Sequence, residues 1–590
     1  MTYRDRRRAE DLLAAETGTV RKVWGRTFTV CLVYPNVYRT GMANLGFQTV
    51  YRLINASDAF LCERLFLPDP PKRGAPSPPF LPKTGRASPD IPGTAAPLSL
   101  ESRKPLNAFD IVAFSLPFEN DYPHILKILD GGRIPLAAAD RGAETDPLVI
   151  AGGIAVTLNP EPLADFFDLF LLGEGEEMIP EFLAAWAAGR ERGDDRRERL
   201  IRIQRDVGGA YAPALYAARC GETDGKRSAA SLFPRERESG LLKEDPGSGR
   251  IGDLPAVVRR RHVADLDRHP AEQAIVTAGQ EFGEMYLTEV SRGCGRGCRF
   301  CAAGYVYRPP RFRSAAVLAP AFARGIEAGK RIGLLGTAVS DHPELPALCR
   351  AILARGGRWG VGSLRIDRLD DGMVGLLKET GVDTVALAPE AGSQRLRDLI
   401  RKGISEAQIL AAAGRLAAAG IPNLRLYFLV GLPTETDADI AAIVALTRRI
   451  LHAEIETGIE GGAEPAVRSR AARRAFRRVT LSLNPFIPKA ATPWQRQPLA
   501  DIRATAEKIR RVAAALRPER AVRVIHDTPR AAYLQALLSL GDRRVGAILL
   551  AAHRNGGNWP RAFKEAAVHP DVFVYGPKPP GAPLPWSHIK

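Results

Sequence analysis

Apolar positions along the chain fall into two series of short runs, each run followed by a mixed stretch long enough for a helix. The first series is Thr27–Pro35, Phe60–Phe66, Phe109–Ser115, Pro147–Gly153 and Asp168–Gly173. Runs of this length, rich in β-branched and aromatic residues, predict strands buried on both faces. Helices are predicted over Asn44–Asn55, near Tyr122–Asp130 and from Glu176. The second series is Met285–Val290, Arg331–Gly336, Gly360–Ile366, Thr384–Pro389, Asn423–Val430 and Val479–Asn484. Strands alternating with helices predict parallel sheets.

Between and beyond the two series the pattern changes. Eleven prolines between Pro68 and Pro105, interleaved with Ser, Gly and Lys, predict a flexible excursion over 68–105. Residues 191–280 are charged and irregular and predict a linker, with a polar helix over Arg190–Arg205. The predicted organisation is a doubly wound domain over 20–190, the linker, a second α/β domain over 281–490, and a helical carboxyl-terminal region over 491–590 that includes an amphipathic Tyr533–Gly546.

Charge and cysteine usage narrow the setting. A net charge of +17 and a pI near 9.7 admit RNA as a partner, but the basic residues are dispersed, as in a generally arginine-rich protein. The exception is Arg468, Arg470, Arg473, Arg474, Arg477 and Arg478, a cluster suited to phosphate or to a solvated helix. No apolar run reaches the length of a membrane span. The charged amino terminus is no signal peptide, and four of the seven cysteines are scattered; both features predict a cytoplasmic protein.

The chemistry is concentrated at Glu289-Val-Ser-Arg-Gly-Cys294-Gly-Arg-Gly-Cys298-Arg-Phe300-Cys301. Cys294, Cys298 and Cys301 offer three thiolates on one loop directly after a predicted strand. A zinc site would want a fourth ligand. A cubane iron–sulfur cluster, usually held by four cysteines, would be left with one open iron. Gly293, Gly295 and Gly297 let the backbone wrap closely.

This motif, with its glycines and preceding strand, resembles that of the radical S-adenosylmethionine (SAM) enzymes. The resemblance implies a [4Fe-4S] cluster on Cys294, Cys298 and Cys301, and SAM bound at the open iron. It implies a partial (β/α)6 barrel related to the TIM barrel, with its site at the carboxyl ends of the strands. On the matching segments it gives cofactor contacts to Phe300, to Gly336, Thr337 and Ser340 after the second strand, and to Ser363 after the third. It gives Glu390 the leading site role after the fourth strand, with Ser393 and Lys402 beside it, and Gly431 and Glu435 after the fifth. The usual Gly-Gly-Glu reads Gly336-Thr337-Ala338 here, so Ser340 or Asp341 would replace the missing acid, unless they only cap the loop.

The amino-terminal segments Tyr34-Pro-Asn-Val-Tyr38, Gly41–Gln48, Ala151-Gly152-Gly153 and Gly173-Glu174-Gly175-Glu176 resemble the cobalamin-binding-type, Rossmann-like domain that precedes many radical SAM cores. There Gly152, Gly153, Gly173 and Glu174 would line the edge holding the corrinoid tail. The Asp-x-His-x-x-Gly motif is absent; the sole Asp-x-His is Asp267-Arg-His269, outside the domain. Cobalamin would therefore bind histidine-off, or the domain is degenerate and binds nothing.

The whole-chain resemblance is to an uncharacterised radical SAM subfamily with a helical tail that covers the barrel mouth. It implies reductive SAM cleavage to a 5′-deoxyadenosyl radical, an external flavodoxin- or ferredoxin-like electron donor, and methyl transfer to an unactivated carbon of an unnamed small-molecule or macromolecular substrate. The alternatives are a methylthiotransferase-like enzyme acting on RNA or protein, and a non-catalytic RNA-associated iron–sulfur protein. Only Cys31 and Cys62 lie in the amino-terminal domain, too few for the second cluster of a methylthiotransferase.

Overall fold

Five apolar runs of the amino-terminal half form strands whose side chains are covered on both faces. In the computed structural model these are β1 (Phe28–Val37), β2 (Phe60–Leu67), β3 (Ile111–Ser115), β4 (Leu148–Gly152) and β5 (Leu169–Leu171), with a short edge strand β6 (Ala210–Tyr211). The order is β2-β1-β3-β4-β5-β6, parallel except for β6. Val30 to Tyr34 of β1 are all buried, as a parallel sheet packed on both faces requires. Chain order reverses between β1 and β3, so their carboxyl ends mark the topological switch point of this doubly wound sheet.

The structure describes residues 3–69, 96–142, 144–223, 226–234, 244–245, 250–251, 254–270, 272–452 and 475–590. Most of the proline-rich excursion, parts of the expected linker, and Arg468, Arg470, Arg473 and Arg474 lie outside the described residues. The chain divides into two units. The first comprises Met1–Asp265, Gln273–Glu284 and Leu534–Lys590; the second comprises Leu266–Glu272 and Met285–Tyr533.

The first unit is larger than the expected 20–190 domain. The helix expected from Glu176 runs over Gly175–Glu191, and the polar helix expected over Arg190–Arg205 begins later and spans Arg196–Asp206, started by an Asp195/Glu198 capping box. Arg199, Leu200 and Ile203 are buried, and β6 joins the sheet, so this stretch is packed structure. The expected carboxyl-terminal region is divided too, with Leu534–Lys590 belonging to the first unit. Asn159 Nδ2 donates to the carbonyls of Ser539 and Gly541 at 3.0 and 2.8 Å. Arg543 forms a buried ion pair with Glu161 at 2.8 Å and donates to Tyr211 Oη at 2.8 Å. The tail thus packs against Asn159, Glu161 and Tyr211 of the first unit. The expected amphipathic stripe is not seen in helix Pro529–Leu540, because Leu534, Leu537, Leu538, Ser539 and Leu540 are all buried.

The second unit carries β7 (Met285–Arg292), β8 (Arg331–Gly336), β9 (Trp359–Val361), β10 (Thr384–Glu390), β11 (Asn423–Val430), β12 (Arg478–Pro485) and β13 (Val522–His526). β7-β8-β9 and β10-β11-β12-β13 form two parallel sheets, with Arg311–Phe312 added antiparallel to β7. Among the described residues, therefore, an open seven-strand arrangement stands where six strands were expected, and no closed barrel forms. The expected strand Gly360–Ile366 stops at Val361, and Ile366–Arg368 turns as a short 3₁₀ helix. Intervening helices start where polar caps predict: Ser314 accepts from Val317 N, Asp370 from Met373 N, and Ser405 forms a capping box with Gln408. Every one of the parallel strands delivers its carboxyl end to the same kind of loop position, and the cysteine loop follows the first of them.

Candidate active site

β7 ends at Arg292, and Gly293 turns the chain with φ +84°. A Cβ there would lie 2.1 Å from the Tyr307 carbonyl oxygen, so only glycine fits. The loop that follows is held by hydrogen bonds from outside it. The Arg299 N–H donates to Ile400 O and Arg299 Nη1 to Leu399 O, each at 3.0 Å, and Tyr305 Oη donates to Gly297 O at 3.0 Å. Within the loop the Arg296 N–H points at Cys294 Sγ at 3.4 Å.

Cys298 is buried, and Cys294 and Cys301 are half-buried. Burial pushes the Cys298 and Cys301 thiols up; Lys402 pulls the first back, and the N–H groups of Gly304 and Ala303 pull back the second. The cysteines also raise one another, Cys301 acting on Cys298 and Cys294 on Cys301, so the three sulfurs share one neighbourhood. Such a set resists ionisation until a cation joins it, which is the chemistry of a metal-ligating thiolate group. Among the described residues no three Cys, His, Asp or Glu side chains converge on a single ion. The donor set fits an iron–sulfur cluster.

Glu390 closes β10 in the left-handed region, with φ +66°, a conformation that costs a non-glycine residue about 1–3 kcal/mol. Its Oε1 accepts from Lys402 Nζ at 3.0 Å, and both side chains are largely buried. Glu390 raises the thiol pKa of Cys298 and Cys301, which puts the pair beside the cysteines. Phe300 packs against the apolar cluster of Ala391, Leu396, Ile400, Leu432, Phe486 and Trp494, so one wall of this site is dry.

Other expected contacts have partners of their own. Ser393 Oγ accepts from Leu396 N and donates to Asp439, capping a helix of only six residues, Gln394–Leu399. Ser340 Oγ accepts the Arg365 N–H at 2.9 Å. Glu435 folds back, taking the Gly431 N–H at 3.0 Å and Lys508 Nζ at 2.7 Å. It shapes the turn at Gly431, φ +87°, instead of extending from it. Gly336, opposite Ser291 in the β7–β8 register, has room for no Cβ, and it, Thr337 and Ser363 are exposed at their strand ends. Sequence reasoning missed the pairing of Arg296 with Asp341 and of Glu435 with Lys508. An arginine between two candidate ligand cysteines was the available signal for the first; Lys508, on a distant helix, gave none.

Residues 288–447 match the family described as the radical SAM superfamily, and residues 79–213 match the one described as radical SAM proteins, N-terminal. The chain carries a radical SAM domain. An uncharacterised protein of Methanocaldococcus jannaschii is 28% identical over 452 residues, covering 76% of this chain and 82% of its own. Among solved structures, the chain is similar to the radical SAM methyltransferase TsrM of Kitasatospora setae, with cobalamin and a [4Fe-4S] cluster bound, at 16% identity and TM-score 0.46, over 80% of this chain and 74% of that one. It is also similar to the cobalamin-dependent SAM radical enzyme OxsB with aqua-cobalamin bound, at 14% identity and TM-score 0.44, over 89% and 66%. No helix among the described residues is long and apolar enough to cross a membrane.

The residues expected to hold a corrinoid tail fit that group poorly. Gly173, φ +122°, lies against Arg261, and a Cβ there would be 2.3 Å from the Arg261 carbonyl oxygen. Glu174 accepts the Val263 N–H at 2.8 Å and donates its own N–H to Arg261 O at 3.0 Å. Gly153 lies against the Leu116 backbone, which itself bonds to Gly152 and Ala155. The chain's own backbone holds three of the four positions, Gly153, Gly173 and Glu174.

Proposed function

We propose that this radical SAM enzyme cleaves SAM reductively at a cluster held by Cys294, Cys298 and Cys301, with Glu390 and Lys402 as the principal protein groups beside it. A [4Fe-4S] cluster on these thiolates would supply an open iron for the SAM amino and carboxylate groups and would relay a donor's electron to SAM, the chemistry that yields methionine and a 5′-deoxyadenosyl radical. The observation that carries the reading is the strained Glu390 at the end of β10, ion-paired to Lys402 and acting electrostatically on two of the three cysteines. Strain of this kind persists where the surroundings over-determine it, and it gathers at functional sites.

The protein's part is orientation and exclusion of water. Lys402 offsets the negative charge gathered by thiolates and carboxylate. Glu390 holds an acceptor at a fixed angle for a ligand ammonium or hydroxyl. Phe300 and the apolar cluster behind it keep solvent from a reactive radical. An external low-potential donor of the flavodoxin or ferredoxin kind would supply the electron. The basic balance of the chain supports RNA as one substrate class, without selecting it over a small molecule.

Cobalamin-dependent methyl transfer is the finer reading. The switch-point sheet of the first unit supports it. The engagement of Gly153, Gly173 and Glu174 by the chain's own backbone weighs against it, so no step is routed through a corrinoid. Product analysis after anaerobic reconstitution with iron and sulfide separates the two. With SAM and dithionite, 5′-deoxyadenosine and methionine in equal amounts are expected, unchanged by added hydroxocobalamin. S-adenosylhomocysteine that accumulates only with hydroxocobalamin would establish methyl transfer in its place.

A further inference from the structure

The cysteine loop is tied to two neighbouring strand ends through one side chain. Arg296, between Cys294 and Cys298, places its guanidinium on Asp341 after β8, with Nη2 2.8 Å from Oδ1 and Nε 3.2 Å from Oδ2. The same guanidinium lies 3.8 Å from Asp367, after β9. Arg365 pairs with Asp367 at 2.9 Å, and Arg368 approaches Asp341 at 3.7 Å. The Arg365 N–H bonds to Ser340 Oγ at 2.9 Å, which closes the link between the two loops. Both carboxylates are largely buried and Arg296 is only one-third exposed, so this network is shielded from solvent far more than a surface pair. A forked guanidinium–carboxylate contact fixes geometry as well as charge.

The loop itself has no regular structure to hold it. The arginine whose guanidinium forms the clamp also directs its backbone N–H at Cys294 Sγ, 3.4 Å away. Hydrogen bonds to a ligating sulfur, and the groups that orient a ligand, tune a metal centre as much as the ligands do. Asp341, which the sequence suggested as a stand-in for the missing SAM-binding acid, is already engaged by Arg296 and Arg368.

We propose that Arg296 is a positioning residue. Through Asp341 and Asp367 it locks the cluster loop to the ends of β8 and β9, so that the iron left open and the SAM-binding strand ends keep one fixed spacing. This rests on the functional reading above. The clamp contributes little to holding iron and much to the response of the cluster to SAM.

The test uses the full chain reconstituted with iron and sulfide, in wild type, Arg296→Gln, Asp341→Asn and the double variant, with Arg296→Lys as the variant that keeps charge without the fork. Iron content, the electron paramagnetic resonance signal of the reduced cluster with and without SAM, and the KM and kcat of SAM cleavage are read. Iron content is expected to hold in all variants. KM for SAM is expected to rise about tenfold in Arg296→Gln and in Asp341→Asn, with kcat little changed and the SAM-induced change of the resonance signal reduced. The double variant is expected to be no worse than either single one, and Arg296→Lys to fall between. A wild-type KM and signal in Arg296→Gln, or losses that multiply in the double variant, would overturn the clamp. So would loss of iron in Arg296→Gln and Arg296→Lys alike. A wild type whose cluster ignores SAM would instead contradict the functional reading.

Discussion

Lys402 Nζ lies 3.0 Å from Glu390 Oε1, and the carboxylate it holds belongs to a residue with φ +66°. An ordinary side chain at this φ is strained, and glycine is not. Glu390→Gly is therefore expected to be more stable than Glu390→Ala by about 1 kcal/mol, read as denaturant midpoints. Both variants, and Glu390→Gln, are expected to lose about 100-fold or more in SAM cleavage. Equal stability of the Gly and Ala variants would show that the backbone is unstrained. Full activity of Glu390→Gln would remove the carboxylate from the site.

Cys298→Ala removes the most buried of the three candidate ligands. The reconstituted variant is expected to lose its cluster absorbance and most of its iron while keeping the far-ultraviolet dichroism of the wild type. A variant with wild-type iron content would break the ligand assignment.

Gly173→Ala tests the close packing of Gly173 against the Arg261 backbone. Its Cβ would meet the Arg261 backbone at 2.3 and 2.4 Å from a residue with φ +122°. A loss of about 3 kcal/mol of stability is expected from strain and overpacking together. Cluster content, which depends on the second unit, should stay at the wild-type level. A neutral substitution would mean that this edge is open enough for a ligand.

Acid should weaken the first unit through His588. Burial, the largest influence on it, pushes its imidazole down to about 4, with the Tyr211 ring 4.9 Å away and Glu161 and Arg543 nearby. The unfolded chain takes up that proton near pH 6.5 or so, about 2.5 units higher. Between those values the unfolded state binds more protons, so stability is full above about pH 6.5 and falls as pH drops toward 4, by about 3 kcal/mol. Buried Asp121, pushed up to about 6 chiefly by desolvation, works in the opposite sense, favouring the folded state as pH falls. The comparison that isolates the histidine is therefore wild type against His588→Gln, whose melting temperature should fall less between pH 7 and 4.5. Parallel curves would refute the assignment.

The strands of both units were legible because buried parallel strands are written as continuous apolar runs, and β1 to β5 stand where those runs predict. β6 is only two residues long and β13 reads Val-Arg-Val-Ile-His, so neither leaves such a run. The cysteine loop was legible because its three cysteines are local in sequence. What the sequence could not give is which polar groups spend themselves on one another. Ser340, Ser393 and Glu435 look free as letters, and each is engaged through a partner 25 to 73 residues away. The destination of the tail was hidden for the same reason, since Asn159 meets Ser539 across 380 residues.

The central claim is most directly tested by 5′-deoxyadenosine release from the anaerobically reconstituted chain given SAM and dithionite, measured beside Cys298→Ala prepared in the same way. The account predicts 5′-deoxyadenosine with matching methionine from the wild type and none above background from the variant. A wild type with an intact cluster and no 5′-deoxyadenosine, or a variant that releases as much as the wild type, would contradict it.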